Sequence, residues 1–139
     1  LLSTTYADTP TLVIGWGRIG KCLARMLKAL GCDVSVAARK EADRALASAL
    51  GLCAVSFKSI DPLLSHQDVI FNTIPTPVLT DHQANMCRSD CLLIELASKP
   101  GILSDRAIPA LGLPGKMVPK SSGRLIADTV IRLTSLKEE

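Results

Sequence analysis

Three glycines with the spacing G-x-G-x-x-G are the residues of this sequence with the clearest chemical meaning. They are Gly15, Gly17 and Gly20, and they directly follow the apolar run from Leu12 to Ile14. The first glycine permits a tight turn, the second lets a pyrophosphate approach the backbone, and the third lets a helix pack closely on a strand. The helix that follows would present unpaired N–H groups and the positive end of its dipole. The pattern predicts a dinucleotide phosphate site, and the alternative is an ordinary glycine-rich turn.

Two basic residues stand where such a site would contact the adenosine ribose. Arg39 lies 19 residues after Gly20, and Lys40 is next to it. A site for NAD usually has an acidic residue here that accepts from the ribose 2′-hydroxyl, whereas a basic residue accommodates the 2′-phosphate of NADP. Arginine presents a planar fork of donors that suits phosphate, and lysine adds a point charge. We expect NADP, with NAD as the second choice; the alternative is that both are solvated charges at the start of a helix.

Alternating strand and helix patterns would position these residues. Apolar runs predict strands at 12–14, 33–39, 52–57, 68–75 and 91–96. Helical spacing and caps predict helices after Gly20, at 42–50, near 59–62 with Ser59 or Asp61 as cap, and at 80–86. The apolar positions of the first two helices are Ile19, Leu23, Met26, Leu27 and Leu30, then Leu46 and Leu50. The alternation predicts an α/β fold, a doubly wound parallel sheet of the Rossmann type with three αβα layers.

The ends of the fourth and fifth strands supply further candidate residues. Carboxyl ends of strands at the crossover point line the ligand crevice of such a sheet, so Asn72 and Thr73 should lie near the cofactor. Glu95 needs a partner if it is buried, and an edge-exposed or paired structural role is favoured over a catalytic one. The predicted cofactor contacts are Gly15, Trp16, Gly17, Arg18, Ile19, Gly20, Arg39, Lys40, Asn72, Thr73, Ile74, Pro75, Ala97 and Ser98.

Two glycine- and proline-containing stretches, 97–101 and 112–123, are predicted to be loops. The second combines glycines and prolines with Lys116 and Lys120, which leaves both lysines to meet an anion. Between the two stretches there is little room for a full helix and a sixth strand. A closing amphipathic helix that packs on the sheet is predicted from Leu125, Ile126, Val130, Leu133 and Leu136.

Length and composition bound the class of protein. A chain of 139 residues predicts one domain, at 11–139, after a linker at 1–10, and is too short for an additional substrate domain. The net charge of +3 comes from scattered basic residues, which favours a small anionic ligand and argues against nucleic acid. Only four residues are aromatic, so the core must consist of Leu, Ile, Val and Ala, as in a helix-covered parallel sheet.

The cysteines favour a reducing compartment. There are five of them, an odd number with no C-x-x-C pair, and most lie in apolar segments where a free cysteine acts as a small hydrophobe. The two histidines are isolated from them, so no metal is expected. The first residues have no basic or apolar signal region, and no apolar run reaches about 18 residues, so we expect a cytoplasmic protein without a membrane segment.

Beyond these patterns, the sequence resembles a known family. The fingerprint at Gly15, the run 71–75, and the loops 96–101 and 112–123 are similar to the C-terminal domain of the dipicolinate synthase A subunit, over nearly the whole chain from Thr11. The resemblance implies a sporulation enzyme that oxidises dihydrodipicolinate, drawn from the lysine pathway, with reduction of NADP. It also implies assembly with a flavoprotein-like B subunit, and we expect a homo-oligomer.

A looser analogy to the cofactor domain of 2-hydroxyacid dehydrogenases suggests roles for two lysines. In that fold the loop after the fifth strand supplies a cation for the substrate carboxylate and a later loop supplies the acid or base, positions that Lys99 and Lys116 would take. A dicarboxylate substrate suits cationic loops. The family's own N-terminal domain has no counterpart in this sequence, so a non-catalytic nucleotide-binding module that regulates or docks a partner remains an alternative. A Rossmann-like methyltransferase is a weaker one.

Overall fold

The fold is a six-stranded parallel sheet with helices on both faces. The computed structural model describes residues 7–117 and 119–135 and divides at Pro109 into two compact units, Leu1–Pro109 and Ala110–Glu139. The strands are β1 (Pro10–Ile14), β2 (Asp33–Ala37), β3 (Cys53–Val55), β4 (Val69–Asn72), β5 (Leu92–Glu95) and β6 (Ala107–Pro109). Their order is β3-β2-β1-β4-β5-β6, and every pairing is parallel. The predicted α/β doubly wound fold is therefore confirmed.

Helices alternate with the strands from β1 to β5, and two more helices follow β6. They are α1 (Arg18–Ala29), α2 (Glu41–Ala49), α3 (Asp61–Leu64), α4 (Asp81–Met86), α5 (Leu113–Met117) and α6 (Pro119–Ser135). A capping box confirms the predicted start of α4, because the Thr80 side chain accepts from the Gln83 backbone and Gln83 accepts from the Thr80 backbone. In the order of the strands, the direction of succession reverses between β1 and β4. Ligand crevices form at this crossover point in such sheets.

The core consists of two clusters, one on each face of the sheet. Ile14 packs in one cluster with Leu64 of α3, whereas Val13 packs in the other with Ala24 of α1 and Ala47 of α2. Neighbouring residues of a strand point to opposite faces, so β1 contributes to both clusters. This arrangement gives the three predicted layers in the first unit, and β1 at the centre of the sheet is fully buried beyond Pro10.

The predicted apolar face of α1 is only partly buried. Gly20 and Ala24, one turn apart, are buried, and the neighbouring Leu23 and Leu27 pack against the core. Small residues at the contact bring the helix axis close to the sheet, so bulkier residues elsewhere on the helix stay outside. The exposed members are Ile19, Met26 and Leu30. In α2, Leu46 and Leu50 are likewise exposed, and Ala47 is the buried residue.

Several predicted boundaries need correction. β1 begins at Pro10, and the Asp8 backbone N–H already bonds to the Gly31 carbonyl, so the first unit starts before the predicted linker ends. Residues 1–6 lie outside the described part. Neither Ser59 nor Asp61 is a cap: Ser56 caps a 3-10 turn at Phe57–Ser59, and Ile60 precedes α3. The link after Gly101 does contain a sixth strand, which is only three residues long and is reached from β5 through an irregular segment without a crossover helix.

The predicted loop at 112–123 is largely helical instead. α5 and α6 cover it, apart from Val118, which lies outside the described residues. Pro114 and Pro119 fall in the first turn of these helices, where the missing N–H has no helical partner to lose, so the prolines start the helices rather than prevent them. The closing helix exists as α6, with Leu125 and Ile126 exposed. Leu136 is outside the described residues, and packing of α6 on the sheet remains a prediction.

The cysteines are divided between core and surface. Cys32, Cys87 and Cys91 are buried, whereas Cys22 and Cys53 are exposed, so the expected apolar role holds for three of the five. Burial raises the pKa of the Cys87 thiol and raises that of Cys91 to about 12, although the nearby positive charge of Arg106 works in the opposite direction. Both thiols therefore stay protonated and behave as small apolar side chains.

Within residues 7–117 and 119–135, no helix has the length and apolarity needed to cross a membrane. In the same part of the chain, no three His, Cys, Asp or Glu side chains are grouped as they would be around a metal ion.

Candidate functional site: a dinucleotide cleft

The turn between β1 and α1 is built around two glycines that the fold itself requires. Gly15 has a φ of +112°, and its backbone N–H bonds to the Ala37 carbonyl at 2.9 Å. A β-carbon at Gly15 would collide with the Thr73 hydroxyl, and one at Gly20 would collide with the Gly15 carbonyl. Side chains at either position would force apart the turn, the helix and β4. These two glycines are thus explained without any ligand.

Gly17 is different, because nothing in the fold requires a glycine there. Its φ of −76° suits any residue, and a β-carbon would have no atom within 4 Å. Gly17 precedes α1, whose first turn has neither a side-chain cap nor an acidic residue. No side chain of the described residues caps the backbone N–H groups that begin the helix. This open cradle at a helix N-terminus fits the pyrophosphate of a dinucleotide.

A cleft of about 470 Å³ adjoins this cradle. Its walls come from four places: the β1–α1 turn, the segment from β2 into α2, the 3-10 turn after β3, and the segment after β4. The lining residues are Gly15, Trp16, Gly17, Ala38, Arg39, Lys40, Asp43, Phe57, Ile74, Thr76 and Val78. The cleft thus joins the glycine turn to the two basic residues that sequence spacing singled out, at the carboxyl ends of neighbouring strands.

The predicted cofactor contacts divide between the cleft and its surroundings. Those that line it are Gly15, Trp16, Gly17, Arg39, Lys40 and Ile74. Outside the lining, Arg18 and Ile19 are exposed at the start of α1, Gly20 is buried under the turn, and Pro75 is exposed. Ala97 is buried and Ser98 exposed in the segment after β5. The structure therefore brings together the residues from β1, β2 and β4, and leaves those after β5 outside the cleft.

Sequence reasoning missed five lining residues: Ala38, Asp43, Phe57, Thr76 and Val78. Ala38 could have been found, because it precedes Arg39 at the end of β2. Phe57 had a weaker signal as the last residue of the strand predicted at 52–57. Asp43 had none, since its position depends on how α2 is rotated against the sheet. Its carboxyl group brings a negative charge to the same part of the cleft as Arg39 and Lys40.

Asn72 and Thr73 support the cleft from behind. Asn72 is fully buried, and its amide donates to the Ile74 carbonyl at 2.9 Å while its oxygen accepts from the Ile74 N–H at 3.0 Å. The Thr73 hydroxyl donates to the Ile14 carbonyl at 2.9 Å. Asn72 fixes the backbone of Ile74, which lines the cleft, and Thr73 connects β4 to the glycine turn.

Glu95 organises the loop that carries Lys99. Its carboxyl oxygens accept from the Asn72 amide at 2.8 Å and from the backbone N–H groups of Ala97, Gly101 and Ile102 at 2.8 to 3.0 Å. The side chain is buried, and the paired structural role expected from the sequence is confirmed. Lys99 lies exposed between the anchored ends of this loop.

We expect Glu95→Gln to destabilise the first unit by about 2–4 kcal/mol. The new amide NH₂ group would face backbone N–H groups, which are also donors, and these buried N–H groups would lose their acceptor. Urea unfolding would measure the loss. Glu41→Gln, an exposed glutamate in the first turn of α2, is the matched control and should change the free energy of unfolding by less than about 0.5 kcal/mol. Equal stability of the two variants would contradict a structural role for Glu95.

Trp16 gives the cleft an internal probe. It is the single tryptophan of the chain, and it is 6% exposed at the edge of the cleft. Its indole N–H has no hydrogen-bond partner among the described residues, and the Lys21 ammonium lies 6.0 Å from the ring centroid. Since its surroundings would change when a ligand enters, its fluorescence should report binding.

Fold and site together define a class of protein. A parallel sheet with a crossover beside β1, a glycine turn, and an open helix N-terminus that adjoins a basic cleft is the arrangement of dinucleotide-binding Rossmann domains. A family model for the NAD-binding domain of D-isomer-specific 2-hydroxyacid dehydrogenases matches residues 1–95, and the chain belongs to that family. It is an NAD(P)-binding domain of the oxidoreductase type, with a nicotinamide dinucleotide as cofactor.

Individual relatives agree with the resemblance found in the sequence. The dipicolinate synthase A subunit of Bacillus subtilis is 33% identical over 137 residues, which is 93% of this chain and 46% of that protein. The crystal structure of the corresponding A subunit from Bacillus halodurans has a TM-score of 0.82 at 33% identity, over 94% of this chain and 48% of the other. The Bacillus subtilis structure has a TM-score of 0.84 at 29% identity, over 99% and 49%. The chain spans about half the length of these relatives.

Proposed function

We propose that the chain is the cofactor domain of an NADP-dependent oxidoreductase of the same type as the dipicolinate synthase A subunit. The reaction would oxidise dihydrodipicolinate, from the lysine pathway, to dipicolinate during sporulation. The observation that carries the cofactor assignment is the single cleft that joins Gly17 to Arg39 and Lys40. The substrate assignment is supported by similarity to the dipicolinate synthase A subunit over 93% of the chain.

Each part of the cofactor has suitable residues. The N–H groups at the start of α1, beside Gly17, would hold the pyrophosphate, and Arg39 with Lys40 would hold the 2′-phosphate. Ile74 and Val78 provide an apolar wall, while Asn72 keeps Ile74 in place through its backbone. When bound, the nicotinamide supplies the acceptor for a hydride that leaves the substrate.

The substrate would be recognised by cationic side chains. Lys99 is exposed on the loop that Glu95 anchors, and Lys116 lies on α5 in the second unit. A lysine ammonium and a carboxylate form a charge-assisted contact, which suits a substrate with two carboxylates. Each lysine is proposed separately as a group that binds a substrate carboxylate or transfers a proton.

Assembly with other chains is the remaining part of the proposal. The relatives are named as one of the subunits of a synthase, which supports association with a second kind of chain. We propose the B subunit of the synthase and further copies of this chain as partners.

Calorimetric titration with NADPH, NADH and S-adenosylmethionine tests the cofactor assignment directly. We expect NADPH to bind most tightly, NADH more weakly, and S-adenosylmethionine with no measurable heat. A preference for S-adenosylmethionine would contradict the oxidoreductase proposal, and a preference for NADH would contradict the role given to Arg39 and Lys40.

We expect Lys99→Met and Lys116→Met to reduce turnover or raise the KM for the dicarboxylate, at a cost in transition-state free energy of about 1.5–3 kcal/mol, because each removes a charge-assisted contact. The affinity for NADPH should stay the same. The measurement is steady-state NADPH formation, followed by its absorbance. The protein used should also contain the part of the relatives that this chain does not cover.

Lys58→Met serves as the control, since Lys58 is exposed and belongs to the 3-10 turn after β3. Its kinetics should equal those of the unmodified enzyme. Unchanged kinetics in the Lys99 and Lys116 variants as well would remove both lysines from the substrate site.

A non-catalytic nucleotide-binding module is the second candidate function. One observation favours it: the titratable residues in the described lining of the cleft are Arg39, Lys40 and Asp43, all from the segment that runs from β2 into the first turn of α2. Those groups suit the binding of an adenosine phosphate rather than proton transfer beside a nicotinamide. NADPH binding without turnover in the complete protein would favour this candidate.

A further inference from the structure

Arg44 holds the backbone of the segment that carries the cations of the cleft. Its Nη1 atom donates to the carbonyl oxygen of Ala38 at 3.0 Å and to that of Arg39 at 2.7 Å. Ala38, Arg39 and Lys40 are in the described lining of the cleft, whereas Arg44 is not. A single guanidinium therefore ties two successive peptide groups to α2 from outside the cleft.

These two hydrogen bonds also determine where the neighbouring amides point. In a trans peptide the N–H group points opposite to the carbonyl that precedes it, and the described chain has no cis peptide bond. Because the Ala38 and Arg39 carbonyls point at Arg44, the N–H groups of Arg39 and Lys40 point away from it. Neither N–H has a backbone or side-chain acceptor within the described residues. Both are thus available to an anion on the side opposite to Arg44.

The positive charge of Arg44 favours anion binding by this segment, as its hydrogen bonds do. Asp43 lines the cleft and Glu41 shares the first turn of α2, so two carboxylates lie in the segment that would meet a phosphate. Like charges repel, and a phosphate would be disfavoured by them alone. A guanidinium bound to the carbonyls behind the loop opposes that field and polarises the peptide groups whose amides point away from it.

We propose that Arg44 is a positioning residue for cofactor choice. By bonding to the Ala38 and Arg39 carbonyls, it keeps the Arg39 side chain and the Arg39 and Lys40 amides directed towards the 2′-phosphate of NADP. It does so without touching the cofactor. This inference rests on the proposed NADP function of the same cleft.

The test compares Arg44→Met with Arg25→Met, which removes an exposed arginine from α1 on the other side of the glycine turn. Dissociation constants for NADPH and NADH are measured by the fluorescence of Trp16. We expect Arg44→Met to weaken NADPH about tenfold, the effect of losing one hydrogen bond to a charged group, and to change NADH by less than about twofold. Arg25→Met should change neither by more than about twofold. An equal loss for both cofactors, or no loss for NADPH, would overturn the proposal.

The double variant Arg44→Met with Arg39→Ala distinguishes a positioning role of Arg44 from a direct contact between Arg44 and the cofactor. If Arg44 acts through the Arg39 segment, adding Arg44→Met to Arg39→Ala should cost NADPH less than about threefold, so the two losses are not additive. Fully additive losses would overturn the proposal. If Arg44→Met does not fold, Arg44→Gln gives the same comparison with a polar side chain. Failure of the unmodified chain to bind NADPH would refute the proposed function, whereas tight NADPH binding unaffected by Arg44→Met would refute this inference alone.

Discussion

Gly17→Val should abolish dinucleotide binding and leave a folded domain. A β-carbon at Gly17 would have no protein atom within 4 Å, and its φ of −76° is compatible with valine, so the fold should tolerate the change. The new side chain would occupy the space that the pyrophosphate needs. We expect the affinity for NADPH and NADH to fall at least about 100-fold, or about 2.8 kcal/mol, in a Trp16 fluorescence titration.

Two other glycine variants test whether the loss of binding is specific to Gly17. Gly123→Ala also introduces a β-carbon without contacts, but in α6, and it should leave the affinity unchanged. Gly20→Ala should fail differently, by unfolding, since its β-carbon would collide with the backbone of Gly15. Near-normal binding by Gly17→Val would mean that the G-x-G-x-x-G sequence is only a structural turn.

Arg39→Ala should weaken NADPH by about 1.5–3 kcal/mol, the range for hydrogen bonds to a charged group, and leave NADH nearly unchanged. The physical reason is that the guanidinium would pair with the 2′-phosphate, a group that NADH does not have. Calorimetric titration with both cofactors measures the difference. Because the interaction is electrostatic and Arg39 is exposed, the NADPH preference should also decrease as salt concentration rises.

Arg25→Ala, which removes an exposed arginine from α1, is the control for loss of positive charge. It should affect both cofactors equally and only slightly. An equal, large loss of NADPH and NADH in Arg39→Ala would refute the assignment of Arg39 to the 2′-phosphate, and would indicate that this arginine supports the cleft structurally.

The sequence by itself determined the features that depend on short spacings. The glycine turn follows β1 within a few residues, so its type and place could be predicted without knowing the rest of the fold. Arg39 could be placed because a strand, a helix and a second strand have nearly fixed lengths in this arrangement. The order of strands and helices followed from periodicity, which is a local property, and gave the correct class of fold.

The tertiary structure alone decided which of the glycines leaves room for a ligand. All three look alike in the sequence, but only the packing of Thr73 against Gly15, and of Gly15 against Gly20, separates structural glycines from the open one at Gly17. The helix faces also depended on packing, since α1 rests on the sheet through Gly20 and Ala24 and leaves Met26 exposed.

The same limit applies to side-chain hydrogen bonds whose direction depends on packing. Glu95 gathers the Asn72 amide and three backbone N–H groups, and Arg44 turns back to bond to Ala38 and Arg39. Neither arrangement has a sequence pattern, because each depends on the exact rotation of a helix or the path of a loop. Spacing fixes which residues lie at the end of a strand, whereas the directions of their hydrogen bonds are fixed only when the elements pack together.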